Sequence, residues 1–215
     1  EQRGDAIGVV EGVVGQRRFS IQVDGQPNHA GTTPMTLRQD ALVAASRIVL
    51  AVESMAREHP GDPVATVGRL EVWPNAANVV PGSVALTVDL RDVNSVVLDQ
   101  LVAELMQQVE RIGAETGCPI QLEPQFEVEP TAAADGVMAA IVSAAEDLGL
   151  SHSHLPSRAS HDAQEIGRRW PMGMIFVPSR GGLSHSAKEF TSDEQCWAGA
   201  AVLLGTLQRL DRELS

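Results

Sequence analysis

The sequence has few cysteines, few basic residues and no long apolar stretch, and each shortage excludes a class of protein. Only 2 of the 215 residues are cysteines. Neither belongs to a CxxC motif, so we expect no disulfide framework and a reducing cytoplasm as the default compartment. The apolar runs, among them residues 48–52, are far too short to cross a bilayer. Residues 1–10 lack the basic start and the apolar block of a signal peptide.

Acidic residues outnumber basic ones, 28 against 16, which gives a formal net charge of −12. This charge argues against nucleic acid as a partner, because phosphate binding needs a basic face. By itself the charge indicates solubility. The charge does not exclude a small anionic substrate, since one local arginine can outweigh the field of the whole protein at close range.

The spacing of apolar residues predicts a β-α-β-β-α-β order over residues 9 to about 120. The predicted elements are a strand at 19–23, a helix at 37–58, strands at 64–72 and 84–90, a helix at 97–112 and a strand at 120–128. Ser95 is the expected N-cap of the second helix and Gly117 its end, while Pro124 interrupts the last strand. This is the ferredoxin-like order, in which a four-stranded antiparallel sheet carries two helices on one face.

The remainder of the chain has a different, α/β character. It predicts a helix over 137–148, a buried strand over 172–177, and a final helix that begins with a Thr191–Glu194 capping box. His152 and His154 flank Ser153 in a predicted polar surface loop. With a short helix that His161 and Asp162 would open, this part has one strand and three helices. These cannot close a sheet, so either other strands come from a missing segment or this part folds poorly alone.

Two polar loops lie between predicted elements of the first region. Residues 28–35 (NHAGTTPM) place His29 in a turn-rich loop, where it is either an oxyanion donor or an ordinary exposed histidine. Residues 75–82 (NAANVVPG) contain Asn78, whose amide suits an amide or ureido group but equally suits a local turn cap.

Arg91 follows a predicted strand, and the alternation of that strand points it away from the leucine face. Its guanidinium could hold a substrate carboxylate through two hydrogen bonds. The alternative is a surface ion pair with Asp89 or Asp92.

Residues 178–189 (PSRGGLSHSAKE) place His185 on a glycine-rich loop directly after the predicted buried strand. This is where α/β enzymes bind ligands, although a structural histidine is an equal alternative. Residues 157–163 (SRASHDA) form a further candidate, in which Asp162 could simply stabilise the start of a helix.

Taken together, these stretches resemble the N-carbamoyl-L-amino-acid hydrolase and allantoate amidohydrolase branch of the M20 metallopeptidase superfamily. The resemblance rests on residues 12–41, 74–92, 160–163 and 176–191, and NHAGTTPM with GLSHS is specific to this branch. One departure is SRASHDA in place of the commoner SGAGHDA, since Arg158 and Ser160 replace glycines. That change affects how closely the backbone near Ser160 would approach the substrate, and therefore which substrate is bound.

The resemblance implies an α/β fold with a ferredoxin-like lid at residues 9–122, between catalytic-domain segments at 1–8 and 123–215. It implies two divalent metal ions, Zn²⁺ or Mn²⁺, a homodimer formed through the lid, and a small anionic ureido acid as substrate. By the same resemblance His185 is a metal ligand, His29 stabilises the oxyanion across the dimer, and Asn78 and Arg91 bind substrate.

The expected activity is metal-dependent cleavage of the C–N bond of N-carbamoyl-L-amino acids or related ureido acids, with allantoate as an alternative substrate. An M20 aminopeptidase or aminoacylase is a further alternative. Because the family's other metal ligands have no match here, we expect a C-terminal fragment, inactive alone. The alternative of another class is a dimerisation and substrate-binding module without catalysis.

Overall fold

A computed structural model describes residues 4–214 of the chain. Its helices are α1 (Ala41–Glu58), α2 (Ser95–Thr116), α3 (Asp135–Asp147), α4 (Ala163–Gly167) and α5 (Asp193–Leu214). Its strands are β1 (Ile7–Val13), β2 (Gly15–Asp24), β3 (Asn28–His29), β4 (Val64–Trp73), β5 (Val79–Val80), β6 (Ser83–Asp92), β7 (Ile120–Val128), β8 (Thr131–Ala132), β9 (His152–Ser157) and β10 (Ile175–Phe176). None of the helices in this described part is long and apolar enough to cross a membrane.

The chain divides into two compact units, and the first is Gly15–Glu129. Its main sheet has the order β4-β6-β2-β7 with antiparallel neighbours throughout, and α1 and α2 pack against it. The predicted fold, with its ferredoxin-like β-α-β-β-α-β order, is therefore confirmed. One core joins both helices to alternate residues of the central strands. It includes Ile21 and Leu86 from the strands and Ile48 and Leu101 from the helices. The other face of the sheet carries the polar residues of those strands.

Local signals explain where these elements begin and end. The Asp40 carboxylate accepts hydrogen bonds from the amides of Leu42 and Val43, so α1 begins after Asp40. The prediction of Ser95 as the N-cap of α2 is wrong by one residue, because the side chain of Asn94 takes that role. Gly117 ends α2 in the left-handed conformation, at φ 67°.

The second unit combines the stretch up to Val14 with the stretch from Pro130. β1 lies at the centre of its sheet, with β9 parallel along one edge and β8 and β10 antiparallel along the other. Apolar residues of β1, α3 and α5 form a shared core that includes Val9, Ile141 and Val202. This sheet supplies the strands that the sequence prediction did not find.

Three predictions for this unit need correction. Residues 152–157 form β9 rather than a polar loop, because their backbone pairs with β1. The predicted strand at 172–177 is only two residues long. The capping box at α5 is Ser192 with Gln195: the Gln195 amide donates to Ser192 Oγ at 3.3 Å, and the Ser192 amide donates to Gln195 Oε1 at 2.9 Å.

The first unit and the predicted lid range of 9–122 differ at both ends. Strand β1 belongs to the other sheet, and β7 continues to Val128 in the ferredoxin-like sheet.

Candidate active site

His29 lies exposed in the two-residue strand β3, which pairs with β5. Its Nδ1 accepts hydrogen bonds from the amides of Gly31 at 3.0 Å and Thr32 at 3.3 Å. An imidazole nitrogen that accepts two amides carries no proton, so the ring proton is on Nε2. The loop thus presents an N–H donor at the outer edge of the ring, which is the group an oxyanion needs.

Asn78 lies beside His29 because their two loops are hydrogen bonded to each other. The Ala30 amide donates to the Asn78 carbonyl at 2.9 Å, and His29 stands opposite Val79 in the β3–β5 ladder. The Asn78 side chain is exposed. Its amide, a donor and an acceptor, therefore lies on the loop that adjoins the loop of His29.

Arg91 lies on the polar face of the main sheet, as strand alternation predicts, and it forms an ion pair with Asp89. Arg91 Nε contacts Asp89 Oδ1 at 2.7 Å. Arg18 donates to the same carboxylate at 2.9 and 3.1 Å, and Gln16 donates to it as well. The ion pair with Asp89, one of the two alternatives weighed for Arg91, is thus present. Two guanidinium groups therefore share the Asp89 carboxylate.

The electrostatics of this cluster favour the ionised form of Asp89. Burial raises the pKa of its carboxyl, but hydrogen bonds from Arg91, Arg18 and Gln16 outweigh burial, so the pKa lies below its usual value. Asp89 therefore stays charged and holds both arginines on the sheet face. Sequence reasoning named Asp89 only as an alternative partner and did not identify Arg18.

The structure brings His29 and Asn78 together but places Arg91 far from them. Ser83, at the start of β6, pairs with Asp24 and Trp73 at the sheet end from which both loops leave. Arg91 pairs with Gln16 near the opposite end of β6. Eight residues of strand separate Ser83 from Arg91, which corresponds to about 26 Å. The three side chains of one chain therefore do not form one small-molecule site.

His185 lies in the second unit, exposed, on a loop between β10 and α5 with φ at 55°. Its amide donates to Glu189 Oε2 at 2.9 Å. The base of the loop is closed by Thr191 Oγ1, which donates to the Pro178 carbonyl at 2.9 Å. The guanidinium of Arg180 stacks on Phe190, 4.2 Å from the ring centroid. Several contacts thus hold the loop that carries His185.

The remaining candidate stretch caps a short helix. His161 Nδ1 accepts the Ala163 amide at 3.0 Å at the start of α4, whereas Asp162 makes no side-chain cap there. Ser160 and Arg158, which replace glycines of the family pattern, are both exposed. This segment has the structural role of a helix start.

A two-metal centre does not fit the described residues on their own. Within residues 4–214 no three histidine, cysteine, aspartate or glutamate side chains are grouped closely enough to hold a metal ion. His185 is a possible ligand, but a pair of ions 3.5–4 Å apart needs several nitrogen and oxygen ligands. No catalytic step through a metal is therefore assigned to these residues.

Comparison with known proteins gives the family of this chain. The profile of Peptidase family M20/M25/M40 matches residues 4–209, and the chain belongs to this family. It is 38% identical to an allantoate amidohydrolase of Bacillus subtilis over 98% of this chain and 51% of that relative. It is also 38% identical to an N-carbamoyl-L-amino-acid amidohydrolase of Paenarthrobacter aurescens, over 99% of this chain and 52% of that relative.

Solved structures agree with these relatives. An amidase of the hydantoinase/carbamoylase family from Burkholderia multivorans superimposes with a TM-score of 0.93 at 41% identity, over 97% of this chain and 51% of that chain. The chain thus spans about half the length of the relatives it matches. The resemblance identified from the sequence motifs is confirmed.

Proposed function

We propose that this chain is the lid-bearing half of an amidohydrolase that cleaves the C–N bond of N-carbamoyl-L-amino acids or related ureido acids. The observation that carries this proposal is the exposed His29 imidazole, whose Nδ1 accepts two loop amides and so leaves Nε2 as the N–H donor. Relatives named for N-carbamoyl-L-amino acids and for allantoate support the substrate class. The products would be an amino acid or a ureidoglycine-like acid, with ammonia and CO₂.

In the proposed reaction His29 donates its Nε2–H to the oxyanion that develops when the carbamoyl carbon is attacked. Donors aimed at developing charge contribute several kcal/mol to catalysis because they need no reorganisation. Asn78, beside it, would bind the ureido nitrogen or oxygen. Two divalent ions, Zn²⁺ or Mn²⁺, would supply the attacking water in the complete enzyme. His185 would be one of the ligands.

Arg91 would bind the substrate carboxylate, with Asp89 holding the guanidinium in place. The guanidinium groups of Arg91 and Arg18 meet at Asp89 and place two cationic side chains on this face of the sheet, which suits an anionic substrate. A chain with a net charge of −12 needs such a local cationic site to attract an anion.

The separation of about 26 Å along β6 leads us to propose that two protomers share each site. An N-carbamoyl amino acid is far shorter than that distance, so His29 and Asn78 of one protomer would act with Arg91 of its partner. Strand β4 favours a lid-mediated homodimer, because it is an edge strand that exposes Leu70 and Trp73. The other edge strand, β7, contains Pro124 and is less suited to pairing.

We propose a cytoplasmic location, since both Cys118 and Cys196 are free thiols. We propose that this sequence by itself is inactive, because within residues 4–214 no three potential ligand side chains are grouped closely enough to hold a metal ion. Metal analysis of this chain tests that point, and about two bound ions per chain would contradict it.

The substrate proposal is tested by assaying the full-length enzyme that contains this sequence with N-carbamoyl-L-amino acids, N-carbamoyl-β-alanine, allantoate, N-acyl amino acids and dipeptides. We expect ammonia release from a carbamoyl or ureido acid. Hydrolysis confined to N-acyl amino acids or dipeptides would identify an aminoacylase or a peptidase instead.

A further inference from the structure

The loop that carries His29 is held by one arginine that comes nine residues later in the chain. Arg38 Nε donates to the Thr33 carbonyl at 3.0 Å, and its Nη2 donates to the Ala30 carbonyl at 2.5 Å. The two carbonyls lie three residues apart, on either side of Gly31 and Thr32. A planar guanidinium can bridge two acceptors in this way, whereas an ammonium group is a single point donor.

The contacts of Arg38 differ from those of neighbouring arginines. Arg47, on the surface of α1, contacts the Glu115 carboxylate at 3.2 Å. Arg38 is half-buried and forms no salt bridge to a carboxylate within residues 4–214. Hydrogen bonds from a charged donor are stronger than neutral ones, particularly where the groups are partly desolvated. The guanidinium therefore serves the loop backbone rather than a surface ion pair.

The hydrogen bonds of the loop lead from Arg38 to the imidazole. Arg38 fixes the peptide groups at Ala30 and Thr33, and the Thr33 hydroxyl donates to the His29 carbonyl at 2.8 Å. Between these fixed points lie the amides of Gly31 and Thr32, which donate to His29 Nδ1. The same amides set the tautomer and the direction of the ring. Loss of Arg38 would release the segment on which the Nε2–H donor depends.

We propose that Arg38 is a positioning residue for His29. It keeps the loop backbone in the conformation that orients the imidazole, and it contributes to kcat without touching the substrate. The inference rests on the proposed role of His29 as oxyanion donor. Sequence reasoning did not identify Arg38, because its acceptors are backbone carbonyls that no side-chain pattern reveals.

The test uses the full-length enzyme with Arg38→Ala and Arg38→Lys. Because a small misplacement of a catalytic group can cost up to about 100-fold in rate, we expect Arg38→Ala to lower kcat roughly 10- to 100-fold with little change in KM. Arg38→Lys should recover part of this loss, and added guanidinium ion should raise the kcat of Arg38→Ala. The matched control is Arg47→Ala, which removes an equal charge from the same unit and should leave kcat unchanged.

A double-mutant comparison separates positioning from general stabilisation. In a His29→Ala background Arg38→Ala should cost no further kcat, because the group that it orients is already gone. An undiminished additional loss in that background, or an unchanged kcat for Arg38→Ala alone, would overturn the proposal. If Arg38→Ala folds poorly, Arg38→Lys is compared in both backgrounds with the same criterion. An unchanged kcat for His29→Ala itself would instead contradict the proposed function.

Discussion

Replacing Asp89 with asparagine should destabilise the ferredoxin-like unit at neutral pH. The carboxylate accepts hydrogen bonds from Gln16, Arg18 and Arg91, and its side chain is only 19% exposed. Asparagine keeps one oxygen acceptor but loses the charge, which leaves the two guanidinium groups repelling each other. Hydrogen bonds to charged groups contribute about 1.5–3 kcal/mol each, and the exposure of both arginines reduces this, so we expect a loss of about 2 kcal/mol.

The same variant should also change how stability depends on pH. The folded state lowers the pKa of Asp89 below its usual value of about 3.9, so its contribution is complete above about pH 4. That contribution is lost as the pH falls through the folded-state pKa. The difference between the wild type and Asp89→Asn should therefore be largest at neutral pH and shrink in acid.

Chemical denaturation at pH 7 and at about pH 3 measures both effects. In thermal unfolding the loss of stability at pH 7 corresponds to a Tm lower by roughly 5–10 °C. The control is Glu53→Gln, which breaks an exposed ion pair with Arg57 on α1 and should change stability by less than about 0.5 kcal/mol. Equal stability of the wild type and Asp89→Asn at pH 7, or a difference that persists unchanged in acid, would refute the reasoning.

Two predictions concern the kinetics of the full-length enzyme. His29→Ala should lower kcat roughly 10²–10³-fold, as for the loss of one oxyanion donor, and an effect confined to KM would contradict this role. Arg91→Lys should raise KM for carbamoyl acids sharply, because lysine cannot form a bidentate pair of hydrogen bonds with a carboxylate. Steady-state kinetics measure both, and unchanged constants for Arg91→Lys would remove Arg91 from the site.

The ferredoxin-like unit could be predicted from the sequence because its elements are strongly periodic. In β6 the buried residues Val84, Leu86, Val88 and Leu90 alternate with partly exposed ones. In α2 the buried residues recur at helical spacing and Gly117 ends the helix. Each of these signals is local, so long-range contacts only reinforced what the sequence pattern already indicated.

Strand β9 could not be predicted because its pairing is set by a distant partner. Its sequence, HSHLPS, contains polar residues and a proline and shows no clear alternation. It forms a strand because its backbone pairs in parallel with β1, more than 140 residues earlier. Such a pairing depends on the tertiary arrangement of the unit, which local propensity does not encode.

The candidate site shows the same division. Motifs identified His29, Asn78, Arg91 and His185, and strand alternation placed Arg91 on the polar face of the sheet. The separation of Arg91 from the two loops depends on sheet topology and register, so it became visible only in the structure. That separation is the reason for proposing that two protomers share one site, and the shared site stays a prediction.

Mixing two inactive variants tests the shared site most directly. Full-length His29→Ala and Arg91→Ala proteins are combined under conditions that exchange subunits. Random exchange of equal amounts makes half of the dimers mixed. If His29 of one protomer acts with Arg91 of the other, each mixed dimer has one intact site. The mixture should then recover about one quarter of the wild-type activity.

The control mixture combines His29→Ala with Asn78→Ala, whose residues lie at the same end of the sheet. In mixed dimers of these two variants every site lacks one of the two groups, so no activity should return. Recovery from His29→Ala with Arg91→Ala, and none from the control, is the predicted result. No recovery from His29→Ala with Arg91→Ala, in a preparation shown to contain mixed dimers, would contradict the account.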